Sequence, residues 1–568
     1  MAGTLDSRRR AAVALEELAL LAELAGENPF KVRAYANAAR AIARAPDDIE
    51  ALAARGELTS LPGIGKGIAA IVAEVIGRGE SAQLAALRAG LPAGLPELVA
   101  LPGLGPKRAR ALWHELGIAS LGELEYACRE NRLVALAGFG AATQKRILDA
   151  IEFRRRAGGG HHISDGWQAA EETAAAIRKA APGAAVAVAG EVRRFCEIVA
   201  EAVVVCAAPI RAALLPALAA LLQDAAADAS GGVAGRHPSG VPVRVVTAPL
   251  ASFGAALVWR TGSARHLEQL AARAAAGGLT FAAGDLTDAS GLTVGCGEEP
   301  DLYEKLGLPW IPAELREGDG EIEAAAAGAL PELLSEKDIL GAVHVHTTDS
   351  DGAASLDGMA DAAAALGWSL LGIADHSQAA AYAHGLDAAR LRAQGEAIAA
   401  RNSRGGTPLV LRGTEADILA DGSLDLPEGV PLDFVVASVH SSFRQSLEAQ
   451  TARLVRAVSR GPGTILGHPT GRLLLAREGY QVDLEAVLQA AAASGAAIEI
   501  NAHPFRLDLD WRWVRRAVAL GVPISVGPDA HEPAGLADVR WGVGIARKGW
   551  ATANDVLNAR PWPWWPRG

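Results

Sequence analysis

No run of this 568-residue chain stays apolar for long enough to cross a bilayer, although half of its residues are apolar. Cysteine is scarce. Cys128, Cys196, Cys206 and Cys296 are scattered and form no Cys-x-x-Cys pair, which argues against zinc-finger chemistry and fits reduced thiols in a cytoplasmic protein. The opening "MAGTLDSRRRAAVALEELAL" carries acids inside its apolar part, so it reads as a first helix and not as a signal peptide. A surplus of positive charge is missing as well, the net charge being −11. That deficit is unevenly placed. Residues 1–156 hold 21 Lys+Arg against 18 Asp+Glu, and the remainder holds 33 against 47. A mildly basic front and an acidic back suit a DNA-gripping module joined to a carboxylate-rich metal site. The chain is too long for one core, so several domains are expected.

The front repeats itself. "LPGIGKGIAAIVAEVI" from Leu61, "LPGLGPKRARALWHEL" from Leu101 and "LAGFGAATQKRILDAI" from Leu136 each pair two glycines around an apolar residue and then continue as a helix. The glycines (Gly63 and Gly65, Gly103 and Gly105, Gly138 and Gly140) permit a tight turn and a close approach to a partner. The helix that follows offers free N–H groups to a phosphate. Lys66, Lys107, Arg108, Lys145 and Arg146 lie in or just after these turns. The pattern is that of helix-hairpin-helix DNA binding, which holds the sugar-phosphate chain and reads no sequence.

The back is different. From about Glu336, short β-rich runs alternate with alanine-rich helical runs, the signature of repeated βα units. Each β-run ends on a polar, metal-competent group. "GAVHVH" supplies His344 and His346, with Asp351 in the loop beyond; "LLGIADH" ends at His376, "LVLRGTE" at Glu415, "DFVVASVH" at His440, "TILGH" at His468, "AAIEIN" at Glu499–Asn501, and "PISVGPDAH" at Asp529 and His531. In a parallel βα barrel these ends share one rim. His344, His346, Asp351, His376, Glu415, His440, His468, Asp529 and His531 make nine expected donors, too many for one ion. The mixture suits two or three divalent ions, Mn²⁺ or Zn²⁺ above Mg²⁺. His344 and His346 are expected to be catalytic through their metals, and Arg472 in "GHPTGRLLL" to neutralise a phosphate. His384, His503 and Asp417 lie near these runs and fit the pattern less well; they are expected at most to support the ligands or to face substrate.

Between the two, "RRRAGGGHHISDG" (Arg154–Gly166) reads as a hinge, with His161 and His162 expected to face solvent. "AGEVRRFCEIVAEAVVV" (Ala189–Val205), "FGAALVWRTGSARH" (Phe253–His266) and "EEPDLYEKLGLPWIPAELREGDGEIEAA" (Glu298–Ala325) then resemble segments of the bacterial family X DNA polymerases that carry a C-terminal PHP domain. The resemblance runs through nearly the whole chain. It implies a multidomain fold: an all-α helix-hairpin-helix region (1–155), an α/β nucleotidyltransferase-like palm with a thumb-like region (160–325), and a (β/α)7 PHP barrel (336–568). The palm motif of the family runs roughly G-S-x-R-R-x-x-E-x-x-x-D-x-D, with a third acid on a neighbouring strand. Here Glu201 and Val203 stand at the D-x-D positions, Pro242 at the third and Glu191 at the serine. Valine and proline cannot ligate Mg²⁺ through their side chains, so polymerase activity is expected to be lost. Ile71 stands where related enzymes place a Schiff-base lysine, so lyase activity is not expected. In the barrel, Ala342 replaces the aspartate usual beside the first histidine.

These readings imply a metal-dependent DNA phosphodiesterase, and the resemblance implies 3′→5′ exonuclease action in repair, with abasic-site or 3′-phosphate processing as further options. The expected partner is DNA with gaps or 3′ ends, with no membrane role; the oligomeric state is open. The alternatives are a gap-filling polymerase, a DNA-binding scaffold with a structural metal cluster, and a small-molecule phosphatase.

Overall fold

The computed structural model describes residues 2–45, 48–101, 103–133, 136, 138–155, 160–207, 211–227 and 232–565. It divides into two units, one of residues 1–129 and 133–151, the other of 130–132 and 152–568. Among the described residues no helix is long and apolar enough to cross a membrane.

Among its described residues, the regular elements of the first unit are all helices. A long helix, Ala2–Leu24, lies against Pro29–Arg44, and their alanine and leucine faces form the centre of its core. Its three hairpins repeat one geometry. Ile64, Leu104 and Phe139 each donate a backbone hydrogen bond to the residue three before, Leu61, Leu101 and Leu136, at 3.0–3.1 Å. These three side chains are buried and pin each turn to the core. Gly63, Gly103 and Gly138 take φ of 82°, 84° and 88°, which an L-residue resists.

In the second unit the palm is a five-stranded sheet. Its order is Ala185–Ala189, Ala202–Ala207, Pro242–Thr247, Val233–Arg236 and Gln223–Ala227. The helix Ile163–Ala180 covers one face with small and β-branched residues. The thumb follows as the helices Phe253–Thr261 and Ala264–Ala276, a short hairpin, and the helix Glu299–Lys305. A buried ion-pair knot joins palm to thumb: Arg193 and Arg316 both grip Glu299, each through two hydrogen bonds of 2.6–3.0 Å. Of the expected hinge, residues 156–159 lie outside the described residues. Its His161 and His162 are buried, contrary to the expected exposure, because they form a two-residue strand paired with Ile198–Val199.

The barrel contains seven parallel strands: Gly341–Val345, Leu370–Ile373, Leu409–Arg412 continued as Glu415–Asp417, Val435–Ser438, Thr464–Leu466, Ala497–Asn501 and Ile524–Gly527. A parallel bridge from Val345 to Ala530 closes the ring. The strands are buried on both faces, as a parallel sheet wrapped in helices requires. The sequence marks where the helices start: Ser355, Asp387, Ser446, Asp483 and Asp510 cap them by accepting first-turn N–H bonds. Every strand therefore points its C-terminal end at the same rim.

Candidate metal centre and nucleic-acid interface

All nine side chains expected at the rim converge there. Their donor atoms fall into overlapping groups, each within 4.8 Å: His346, Asp351, His376 and His531; His344, His468 and Asp529; His344, His346 and Glu415; His376, Glu415 and His440. Glu415 is the hub. Its Oε1 lies 3.1–3.2 Å from Nε2 of His344, His440 and His468, and its Oε2 lies 3.0 Å from His376 Nδ1. Asp529 lies 3.3 Å from both His344 and His346.

The backbone is bent to make this possible. In a regular strand His344 and His346 would flank Val345 on one face. Here the pairing register slips between Ala342 and Val345, and His344 sits at φ 69°. His468 and Asp529 also take positive φ, at 25° and 53°. Non-glycine residues held in this region cost energy, and the surrounding structure over-determines them where a site needs it.

The residues fit metal ions. His344 Nε2, both ring nitrogens of His346, His376 Nδ1, His468 Nδ1, His531 Nε2 and Asp351 Oδ2 are buried and make no hydrogen bond of good geometry. Buried polar atoms are normally satisfied, so this many together call for a ligand of another kind. The charge balance says the same. Burial works against charge throughout, yet the imidazoles beside them hold Asp351, Glu415 and Asp529 well below the usual carboxylate range. Burial likewise pushes His531 down, but Glu130, Asp351 and Asp529 outweigh it and lift its pKa to about 10. His468, buried near Arg506, is pushed down to about 3. Without an ion, the carboxylates are balanced by positive charge on the imidazoles, the charge that bound cations would supply instead.

Residues outside the nine orient the donors. Glu499 accepts from His344 Nδ1 at 2.6 Å and from the His468 backbone N–H at 2.7 Å. Asp417, which fits the strand-end pattern poorly, accepts from His440 Nδ1 at 2.8 Å. Such carboxylates fix the tautomer and aim the opposite nitrogen inward. Asp375 takes bonds from the Thr347 backbone and hydroxyl, both 2.7 Å, and holds the loop that carries Asp351. Glu130, from the segment assigned to this unit, lies 3.4 Å from His531.

One expected participant is elsewhere. Arg472 does not face the cluster. It donates to the Arg506 carbonyl at 3.0 Å and to the Leu507 carbonyl, and pairs with Glu197 and Asp510 at 3.4 Å each. The guanidinium beside the cluster is that of Arg506, whose Nε is 3.7 Å from Asp529 Oδ2. His503 uses its Nδ1 to accept from the Phe505 backbone, and His384 ends a short turn at φ 56°.

The palm gathers no comparable set among the described residues. Val203 is buried with Ala189, Val205, Val246, Ala256 and Leu257. Glu201 pairs with Arg244 at 3.1 Å, and Pro242 opens its strand. A cavity of about 370 Å³ remains beside Glu191, Glu201, Val203, Arg244 and Arg260. Ile71 is part of the helical core.

At the hairpins, Gly65 and Gly105 precede the helices Lys66–Arg78 and Pro106–Leu116 with no side-chain cap, leaving first-turn N–H groups open. A Cβ at Gly63, Gly65, Gly103, Gly105, Gly138 or Gly140 would meet nothing within 4 Å of its own chain. The fold does not use the space these glycines leave, so it is available to a partner's backbone. Lys66, Lys107 and Lys145 are exposed beside it. Arg108 instead donates to the Gly103 carbonyl at 2.8 Å, which steadies the turn.

Comparison with known proteins agrees with this layout. A helix-hairpin-helix domain model matches residues 7–81, a SAM-like helix-hairpin-helix tandem 95–152, a DNA polymerase beta thumb 256–317 and a PHP domain 342–503. A DNA polymerase/3′-5′ exonuclease PolX of Bacillus subtilis (strain 168) is 35% identical over 564 residues, covering 96% of each chain. Probable phosphatases of Thermoanaerobacter sp. (strain X514) and of Caldanaerobacter subterraneus are 32% and 34% identical, but over only 26% and 22% of this chain. The hairpins and thumb mark a DNA-binding protein, and the PHP barrel a metal-dependent phosphoesterase fold.

Proposed function

Because this chain belongs to the bacterial family X DNA polymerases with a C-terminal PHP domain, we propose that its working activity is hydrolysis of DNA phosphodiesters from the 3′ end at the barrel rim, with a palm that no longer polymerises. The observation that carries this reading is the contrast between two sites in one unit. The rim brings nine metal-competent side chains together. The palm has Val203 in an apolar cluster where the family places a carboxylate, and its remaining acid is paired with Arg244.

The nine side chains are proposed to hold two or three divalent ions. Bound ions would supply an ionised water near neutral pH and charge neutralisation at the phosphate. The chain's own residues do the rest. Glu499 and Asp417 keep the Nδ1 protons of His344 and His440 turned outward and their Nε2 lone pairs inward. Asp375 orders the Asp351 loop. The hairpins and their lysines grip the sugar-phosphate chain without reading bases, as a repair nuclease acting at any 3′ end requires. The hairpins also favour a polymeric DNA substrate over the small molecules of a phosphatase.

Gapped DNA labelled at either end, incubated with Mn²⁺, tests the proposal. The expected result is stepwise loss of a 3′ label, abolished in His344→Ala/His346→Ala, and no primer extension with dNTPs. Robust primer extension, or an unaffected double variant, would reject it.

A further inference from the structure

The three residues Glu130–Arg132 pack with the second unit, although the chain on either side of them belongs to the first. They reach the metal-competent rim from outside the barrel's own stretch of sequence. Glu130 is 5% exposed, and its Oε1 lies 3.4 Å from His531 Nδ1. Two residues on, the Arg132 guanidinium lies over the Tyr382 ring at 4.4 Å. That ring meets His376 and His440 edge-on, at centroid distances of 6.0 and 6.4 Å. Asn131, between the two, is left-handed at φ 53°, a conformation asparagine tolerates better than most residues. The segment therefore touches the rim at two places, at His531 through Glu130 and at Tyr382 through Arg132.

The two nitrogens of His531 face different surroundings. Nε2 lies 3.5 Å from Asp351, among the cluster's donors. Nδ1 lies 3.0 Å from the Asp529 carbonyl, with the Glu130 carboxylate beyond it. His344 and His440 are held in the same manner, their Nδ1 atoms meeting Glu499 and Asp417 at 2.6 and 2.8 Å. An acceptor behind the ring fixes the tautomer, turns Nε2 inward and makes it a better donor to a cation. For His531 that acceptor is a barrel carbonyl backed by a carboxylate from outside the barrel. Burial opposes charge on His531, and Glu130 is the strongest of the carboxylates that offset it.

We propose that Glu130 is a positioning residue for the metal ligand His531, brought to the barrel mouth by a segment that Arg132 clamps on Tyr382. The inference rests on the metal-dependent phosphodiesterase reading above and deepens it: the barrel's ligands are oriented in part from outside the barrel.

The test compares full-length wild type, Glu130→Gln, Glu130→Asp, Arg132→Ala, His531→Ala and the Glu130→Gln/His531→Ala double variant. Mn²⁺ titration, the visible absorption of the Co²⁺-loaded protein and digestion of 3′-labelled DNA are measured for each. Glu130→Gln is expected to weaken Mn²⁺ binding about tenfold and to shift the Co²⁺ bands, with Glu130→Asp partly restored. Arg132→Ala should cost less, in the same direction. Beside His531→Ala no imidazole is left to orient, so Glu130→Gln should change the affinity for the remaining ions less than about twofold. A carboxylate that serves only the fold would cost the same in both backgrounds and leave the Co²⁺ bands where they were. Wild-type Mn²⁺ affinity in Glu130→Gln, or an equal loss beside His531→Ala, would overturn the positioning role. Metal binding is read without turnover. A wild type that shows the expected Mn²⁺ and Co²⁺ behaviour but leaves DNA intact would reject the phosphodiesterase reading and leave the role of Glu130 standing.

Discussion

Replacing Glu299 by glutamine should unlock the thumb from the palm. Glu299 is 6% exposed and holds two arginines, of which Arg316 is wholly buried. It also accepts from Trp310 Nε1 at 3.1 Å. Burial alone would raise the carboxyl, but Arg316 and Arg193 hold it down, from 4.5 to about 2. At about 1.4 kcal/mol per pH unit, that depression corresponds to about 3 kcal/mol of folding stability at neutral pH. The independent expectation for breaking a buried pair on one side is of similar size, roughly 3–5 kcal/mol, because two guanidinium groups are left short of charge. The sign follows from the lowered pKa. The contribution is complete above about pH 4.5 and is lost as pH falls toward 2. Urea unfolding at pH 7 and at pH 3 reads this directly. Glu299→Gln should lose about 3 kcal/mol at pH 7, and the gap to wild type should narrow at pH 3. A variant within 1 kcal/mol of wild type at pH 7, or a gap constant with pH, would refute the argument.

Other expectations follow from the same geometry. Val203→Asp with Pro242→Asp should still give no primer extension and should melt below wild type, because a carboxylate enters an apolar cluster; extension of a primer would show that the palm lacks only its acids. Asp417→Asn, which removes the carboxylate behind His440, should weaken metal affinity or activity about 10–100-fold, read by metal titration against nuclease rate. Exchanging Lys66, Lys107 and Lys145 for glutamate should weaken DNA binding evenly across sequences and flatten the salt dependence by about 0.9 per lost phosphate contact, measured by anisotropy across salt.

The convergence of the nine side chains was legible because the barrel strands are short and mostly buried, and each ends on or is soon followed by a polar, metal-competent residue. Nothing in a β-core accounts for His376, His440 or His468 at such ends, so their shared position is itself the signal. Residues acting through another side chain were harder to find. Glu499 reads as part of the strand end "AAIEIN", and the sequence alone does not say that its carboxylate accepts from His344 Nδ1. The two arginines show a second limit. Arg472 and Arg506 each follow a His-Pro pair closely, in "HPTGR" and "HPFR", so spacing alone could not say which one lies beside Asp529. The turn at His503–Leu507 decides it. His161 and His162 looked solvated because glycines precede them. Pairing with Ile198–Val199 buries them, a long-range contact that local composition does not encode.

The account stands on cations gathering at one barrel mouth. Crystals grown with Mn²⁺ and measured at its absorption edge test that most directly. Two or three anomalous peaks, all within the cage of His344, His346, Asp351, His376, Glu415, His440, His468, Asp529 and His531, are predicted. Peaks absent from that cage, or found in the palm beside Glu201, would contradict it.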